Sequence, residues 1–406
     1  MRRFLFLQGV CSPFFGRLAD RLVHEGHLVT KVNFNAGDAF YWAGRKSRRF
    51  RGRPQELRDF YDRLYRHEGI TDQVLFGDRR PVHRPAVDHG EACGVRTHVF
   101  EEGYFRPHWV TLEREGVNGH SLLPRDPDWF WEIGGALPED EPVRPFASSF
   151  KLRALHDVFY HLAGLLNPLL YPHYRTHASV TAPFEYLGYI KRFSLLRFHE
   201  PKDRRTIESL IAAGRPYFVL PLQLNSDAQI RDHSRFENMA EVMEYVMSSF
   251  AAHAPGDSQL VIKNHPLDAE WRGHAADVAR LAREFDLAGR VHYLESGNLE
   301  LLLAHARGIV TVNSTAGGVA LGLGCPTVAL SDPIYNLPGL TWQGALDDFW
   351  GRGEPPDAEL FRRFRKAVIH CTQINGGFYT REGIELAVNN AARVLTAESS
   401  PLERMS

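Results

Sequence analysis

Short apolar runs recur along this chain, each followed by a polar or glycine-containing loop and then by an amphipathic stretch. The first run is Phe4-Leu5-Phe6-Leu7. Four to eight apolar residues between turn signals fit a strand buried on both faces. A loop from Gln8 to Gly16 follows. An amphipathic stretch from Arg17 to Glu25 predicts a helix, stopped by Gly26. Leu28 to Phe34 alternates and is β-branched, which predicts a second strand with Asn33 and Asn35 at its carboxyl end. Strand, loop, helix and strand in this order make a Rossmann-type opening.

The pattern continues with strands expected at Asp72 to Phe76 and Thr97 to Phe100. Residues 126–145 are rich in Pro, Asp and Glu and read as an irregular excursion. Leu152 to Leu170 is apolar but carries His156, Asp157, His161 and Pro168, so it is no clean membrane span. A buried helix and an interfacial membrane helix both fit it. Tyr171 to Arg197 mixes aromatic and basic residues and reads as a link between domains. The second half repeats strand and helix in turn. Tyr217 to Leu222, Gln259 to Lys263, Val291 to Tyr293 and the run from Gly308 are strands. Met239 to Ala252, Ala275 to Phe285 and Leu299 to Ala306 are helices, and Asp357 to Leu395 reads as helical. The expected class is α/β with two Rossmann-like domains. Residues 1–200 are expected to form the first domain and 201–345 the second, with helices in 346–406 packing back on the first.

Composition narrows the partners. A length of 406 residues suits two domains. A formal net charge of -1 removes any global electrostatic case for nucleic acid. Cys11, Cys93, Cys325 and Cys371 lack paired spacing, which favours reduced thiols over disulfides. No zinc spacing is present, and neither metal nor cofactor is expected. The apolar run at the amino terminus is too short for a signal peptide and points to a cytoplasmic protein. Arg45, Lys46, Arg48, Arg49, Arg51 and Arg53 form a basic run. It suits either a solvated loop or contact with an anionic membrane surface.

The chemistry concentrates at two strand ends of the second domain. Gly308 to Leu330 reads as strand, small-residue loop, short helix and strand, with Asn313, Ser314 and Thr315 at the helix start. A helix N-terminus offers free N–H groups to a phosphate or carboxylate. Gly317 and Gly318 are expected to let a ligand approach the backbone. Lys263-Asn264-His265-Pro266 reaches the same sheet edge, where open parallel sheets bind ligands. His265 suits a departing phosphate or a satisfied core position, and the side that Lys263 faces stays open. Gln223, Asn225 and Asp227 lie in a loop after a strand. A carboxylate there can act as nucleophile or base, or cap a turn. In the first domain, Glu101-Glu102-Gly103-Tyr104-Phe105-Arg106 at a strand end reads as a site or as a turn with an ion pair. Two such domains with a phosphate cradle in the second make a GT-B-type glycosyltransferase architecture.

Six motifs carry a resemblance. They are Phe-Leu-Gln-Gly-Val-Cys-Ser-Pro-Phe-Phe at 6–15, Gly-His-Leu-Val-Thr-Lys-Val-Asn-Phe-Asn-Ala-Gly-Asp at 26–38, and Phe-Glu-Glu-Gly-Tyr-Phe-Arg-Pro at 100–107. Gln-Leu-Asn-Ser-Asp at 223–227, Lys-Asn-His-Pro at 263–266 and Asn-Ser-Thr-Ala-Gly at 313–317 complete the set. Together they resemble the bacterial capsule polysaccharide β-Kdo glycosyltransferases, and among them the single-module member that acts on lysophosphatidylglycerol.

The resemblance implies retaining transfer of Kdo from CMP-Kdo to that lipid. It implies Asp227 as covalent nucleophile, His265 on the nucleotide phosphate, and Glu102 as a catalytic acid-motif residue. Gln223, Asn225, Lys263, Pro266, Asn313, Ser314, Thr315 and Gly317 fall on the donor side. Gln8, Gly9, Asn33, Asn35, Gly103 and Arg106 fall on the acceptor side. The chain has Glu-Glu-Gly-Tyr where others have Glu-Asp-Gly-Phe, so it departs from the pattern at Glu102. An anionic inner-membrane surface, met by the basic run with Tyr186, Tyr189 and Phe193, is an expected partner. The other capsule Kdo transferase is a further candidate partner. A CMP-sialic acid or other nucleotide-sugar transferase, and a non-catalytic assembly scaffold, remain as alternatives.

Overall fold

The computed structural model describes residues 1–138, 143–175, 182–225, 234–268 and 273–405. Asp227, expected as the nucleophile, lies outside the described residues, as do the side chains of Tyr186 and Phe193. The chain divides into two compact units. One comprises Met1–Pro124, Ile133–His177 and Arg365–Ser406, the other Arg125–Glu132 and Ala178–Phe364.

The first unit is built on a seven-stranded sheet. Its strands are β1 (Arg3–Phe6), β2 (Leu28–Asn33), β3 (Arg48–Arg49), β4 (Asp72–Phe76), β5 (Arg96–Glu102), β6 (Trp109–Arg114) and β12 (Gln373–Asn375), in the order β12-β6-β5-β4-β1-β2-β3. β1 to β5 pair in parallel, while β6 runs antiparallel to β5 and β12 antiparallel to β6. The apolar run at β1 serves both faces of this sheet. Phe4 and Phe6 join one core with Phe14, Leu18 and Leu22 of α1 (Phe14–His24). Leu5 and Leu7 join another with Leu57, Tyr61 and Leu64 of α3 (Leu57–Glu68). Side chains alternate across a strand, so a strand covered on both faces must be apolar throughout.

The second unit carries a five-stranded, all-parallel sheet in the order β11-β10-β7-β8-β9. These are β7 (Tyr217–Pro221), β8 (Gln259–Lys263), β9 (Val291–Leu294), β10 (Gly308–Thr311) and β11 (Thr327–Ala329). Phe218 and Leu220 pack under the helix Met239–His253, and Tyr217 and Val219 face Ile207 and Leu210. The expected α/β class with two Rossmann-like units is therefore observed.

Three expectations are corrected. Residues 126–145 are not wholly irregular, because α5 spans Pro127–Ala136. Asp126 accepts a bond from the N–H of Asp128 at 3.0 Å, Pro127 occupies the first helical position, and Phe130 is fully buried against Phe364. The stretch 357–395 is two helices, Ala358–Thr372 and Arg381–Thr396, separated by β12. The Gln373 amide donates to Thr111 Oγ1 at 3.0 Å and accepts from the N–H of Tyr104, holding that segment extended on β6. Leu152 to Leu170 is not a buried helix. It forms α6 (Phe150–Gly164) and α7 (Asn167–Leu170), and neither has a buried residue.

Candidate active site

The carboxyl edge of the second sheet is assembled by strand order. β7 lies between β10 and β8, so the loop after β7 leaves between Ser314 and His265. Gln223 is buried and bound to Asn313 at both ends. Its amide donates to Asn313 Oδ1 at 3.1 Å and accepts from the N–H of Asn313 at 3.3 Å. This clamp fixes the two loops to each other. Asn225 Oδ1 accepts from the N–H of Met239 at 2.7 Å and so fastens the return of the loop at the start of the helix Met239–His253.

His265 is held in one orientation. Its Nδ1 accepts from the N–H of Leu267 at 3.1 Å, which leaves the proton of the neutral ring on Nε2. The backbone here is held by Arg192 of α8 (Ala182–Ala213). Arg192 Nη2 donates to the His265 carbonyl at 2.9 Å, Nε donates to the Pro266 carbonyl at 3.2 Å, and Nη1 pairs with Glu295 at 3.1 Å. No local motif marks Arg192. It belongs to the aromatic-basic stretch, and only folding brings it to the loop. Pro266 is exposed.

Lys263 ends β8 and is buried. Its ammonium donates to the Asn264 carbonyl at 3.4 Å. Burial, with Arg192 nearby, pulls its pKa below the usual lysine range, and Asp203 opposes this. A buried cation with a long bond to one carbonyl favours an anion beside it.

Ser314 caps the helix Thr315–Gly322, its hydroxyl accepting from the N–H of Ala316 at 3.2 Å, and Thr315 is exposed at the first helical position. The reason for Gly317 differs from the expected one. A Cβ there would stand 2.3 Å from the Tyr335 hydroxyl, which donates to the Ser314 carbonyl at 2.6 Å. Gly317 thus makes room for Tyr335, whereas Gly318 has open space above it.

The first-unit residues expected on the acceptor side fall into two groups. Gln8, Asn33 and Asn35 are buried at the ends of β1 and β2. Gln8 and Asn35 both donate to the Tyr160 hydroxyl of α6, at 2.8 and 2.6 Å, and Asn33 donates to Ser47 at 2.9 Å. The Asn33 Oδ1 is buried with no hydrogen-bond partner. Gly9 leaves space for Phe15. The second group surrounds a cavity of about 240 Å³ that includes Glu102, Arg106, Trp109, Phe150, Arg153 and Tyr379 in its lining. Glu102 pairs with Arg153 at 3.5 Å and accepts from the Tyr379 hydroxyl at 3.2 Å. Burial and the Glu102 carboxylate hold the Tyr379 phenol well above its ordinary range, so it stays a donor. Gly103 brings its backbone so near Trp109 that a Cβ would meet the Trp109 carbonyl at 2.1 Å. Arg153 and Tyr379 carry no sequence signal for this role.

The family model for the capsule polysaccharide biosynthesis protein matches residues 71–379. The chain belongs to this family. The capsule synthesis match begins one residue before β4 and runs to Tyr379, so it includes Glu102, Lys263, His265 and Ser314. Relatives extend it over nearly the whole chain. Capsule polysaccharide export protein KpsS of Escherichia coli is 35% identical over 380 residues, covering 93% of this chain and 97% of that protein. Capsule polysaccharide modification protein LipB of Neisseria meningitidis serogroup B is 36% identical over 387 residues, covering 93% and 91%. Among solved structures, the chain is similar to Thermosulfurimonas dismutans KpsC, beta Kdo 2,7 transferase, at 14% identity and a TM-score of 0.45, covering 98% of this chain and 100% of that one.

Among the described residues, one group of metal-capable side chains stands together. Asp62, His89 and Cys93 hold their ligand atoms within 4.8 Å of one another, in the first unit. The four cysteines are free thiols. In the basic run, Arg45 pairs with Asp20, Arg48 with Glu68, and Lys46, Arg49 and Arg53 are exposed.

Proposed function

We propose that this protein is a GT-B-type retaining transferase that moves Kdo from CMP-Kdo to lysophosphatidylglycerol in capsule linker synthesis. The observation that carries the reading is the edge of the second sheet. There an oriented His265, a buried Lys263 and the capped helix start at Ser314 stand at the ends of the strands on either side of β7, and Asp227 follows β7 in sequence. A CMP-activated ulosonic sugar is anionic at its phosphate and its carboxylate, and these cationic and N–H groups complement that charge. Membership of the capsule family and the two relatives, KpsS and LipB, support a capsule role for the transfer.

In this reading Asp227 attacks the anomeric carbon, and the bond to the CMP phosphate breaks with its electron pair leaving on the phosphate oxygen. His265 Nε2 donates a hydrogen bond to that oxygen. The acceptor hydroxyl then attacks the same carbon, the bond to Asp227 breaks to restore its carboxylate, and the hydroxyl proton passes to solvent. Two inversions give net retention. Glu102, with Arg153 and Tyr379, belongs to the acceptor side. The basic run brings the protein to the inner membrane surface.

Incubation with CMP-Kdo and lysophosphatidylglycerol, followed by mass spectrometry, tests this. Addition of one Kdo residue to the lipid is expected. Transfer from CMP-sialic acid alone would reassign the donor. The absence of any product, with no thermal stabilisation by CMP, would leave a scaffold.

A further inference from the structure

Helix α6 is amphipathic with its faces reversed. Arg153, His156, Tyr160 and, in α7, Asn167 point to the body of the unit. They bond Glu102, the Tyr41 hydroxyl, Gln8 with Asn35, and the N–H of Ala36 respectively. Along the other side stand Leu152, Leu155, Phe159, Leu162, Leu166 and Leu169, spaced three and four apart and all exposed. Leu162 is 55% exposed and Leu169 73%. A stripe at this spacing occupies one side of a helix. Leu165 and, from α2 (Ala36–Trp42), Phe40 widen it, with the Phe40 ring 6.2 Å from that of Phe159. Water is a poor neighbour for a continuous apolar surface of this kind, and such patches mark interaction sites.

Charge tells what covers it. The α7 end touches the basic run, since Arg51 Nη2 donates to the Leu169 carbonyl at 3.3 Å. Lys151 is exposed beside the other end. Leucines flanked by exposed arginines and lysines suit the boundary of an anionic bilayer, where chains bury and cations meet headgroups. Within α6 the stripe from Leu152 to Leu162 is about 15 Å long at 1.5 Å per residue, and Leu169 in α7 continues it. No helix among the described residues is long and apolar enough to cross a membrane. The stripe also leads to a site. Phe150, at the start of α6, lines the cavity that holds Glu102 and Arg153.

We infer that the outward face of α6 and α7 is a bilayer-docking surface that seats this cavity at the headgroup level of an anionic membrane. The inference rests on the lipid-acceptor reading of the same cavity, and it names the face that presents the lipid.

Sedimentation with phosphatidylglycerol vesicles tests it. Wild-type protein should sediment at low salt. The variant combining Leu155→Ser, Leu162→Ser, Leu166→Ser and Leu169→Ser should lose at least tenfold in vesicle affinity. These side chains are exposed, and a thermal melt with and without CMP reports that the fold and the donor side are intact. A leucine variant that sediments like wild type would overturn the inference. So would a wild-type dimer that this variant converts to monomer without change in vesicle binding, since the stripe would then join two copies. Strong vesicle binding lost in the variant, with no Kdo transfer by wild type, would uphold the surface and sink the transferase reading. Transfer to a detergent-solubilised acceptor without any vesicle binding would do the reverse.

Discussion

Each sheet buries a lysine near its carboxyl edge, and the two are in opposite circumstances. Lys31 in the first unit donates to the Leu7 carbonyl at 2.6 Å and to both oxygens of Asp38 at 2.8 and 2.9 Å. Lys263 in the second unit has a 3.4 Å bond to a neighbouring carbonyl, and Arg192 stands near it. Burial lowers both pKa values. For Lys31 a hydrogen-bonded carboxylate answers the cost. At Lys263 the nearest influence after burial is another cation. A buried ion pair is architecture, while a buried cation with few partners is a place for an anion. The contrast sets an edge whose buried lysine is paired against one whose buried lysine has a single long bond to a carbonyl, and the second is where the donor is proposed to bind.

The largest test asks whether chemistry belongs to the second edge at all. Asp227→Asn should lower turnover by several orders of magnitude and leave CMP affinity near wild type. Single-turnover kinetics beside calorimetry measures both, and turnover near wild type would remove the covalent mechanism.

Next is the fold. Lys31→Met leaves Asp38 buried without its cation and should destabilise the first unit by about 3–5 kcal/mol. Urea unfolding reads this, and a loss below 1 kcal/mol would mean that the pair is dispensable. Lys263→Met should do the opposite: melting temperature unchanged or raised, and CMP affinity down about tenfold, or roughly 1.4 kcal/mol. A variant that melts early and binds CMP normally would return Lys263 to the structural class.

The smallest effect is in pH. The folded Lys263 pKa lies below its unfolded value. Between the two the unfolded chain holds a proton that the folded chain releases, so this lysine's stability cost shrinks as pH rises. The stability gap between Lys263→Met and wild type should therefore narrow towards alkaline pH. CMP affinity should run the other way. Above the phosphate's own titration near about 6, it should fall as Lys263 loses its proton, and the Met variant should show no such step. A flat wild-type profile would exclude a protonated Lys263 from the phosphate site.

Much of this was legible in the chain because it is local. Unbroken apolar runs at β1, β7 and β8 specify strands covered on both faces, and Ser314 with small residues after it specifies a capped helix start. The parallel order places the ends of β7, β8 and β10 at one edge, as the motifs suggested. Helix α6 shows where such reading fails. The apolar stretch 152–170 fits a buried helix and an interfacial one alike, because pattern alone does not say which side faces the protein. Tyr160 and Arg153 reverse the usual sense because they meet Gln8, Asn35 and Glu102 from distant parts of the chain.

The sequence by itself therefore determined the α/β class, the two sheets, the family and the motifs at the carboxyl edge of the second sheet. Hydrophobic period and capping act over a few residues and need no partner elsewhere. Only the tertiary structure decided that Arg192 holds the His265 loop, that Gly317 yields to Tyr335 and that Gln223 clamps Asn313. It also decided that α6 shows its leucines to the outside. Each depends on a contact between residues far apart in the chain, whose geometry exists only once the sheets have formed.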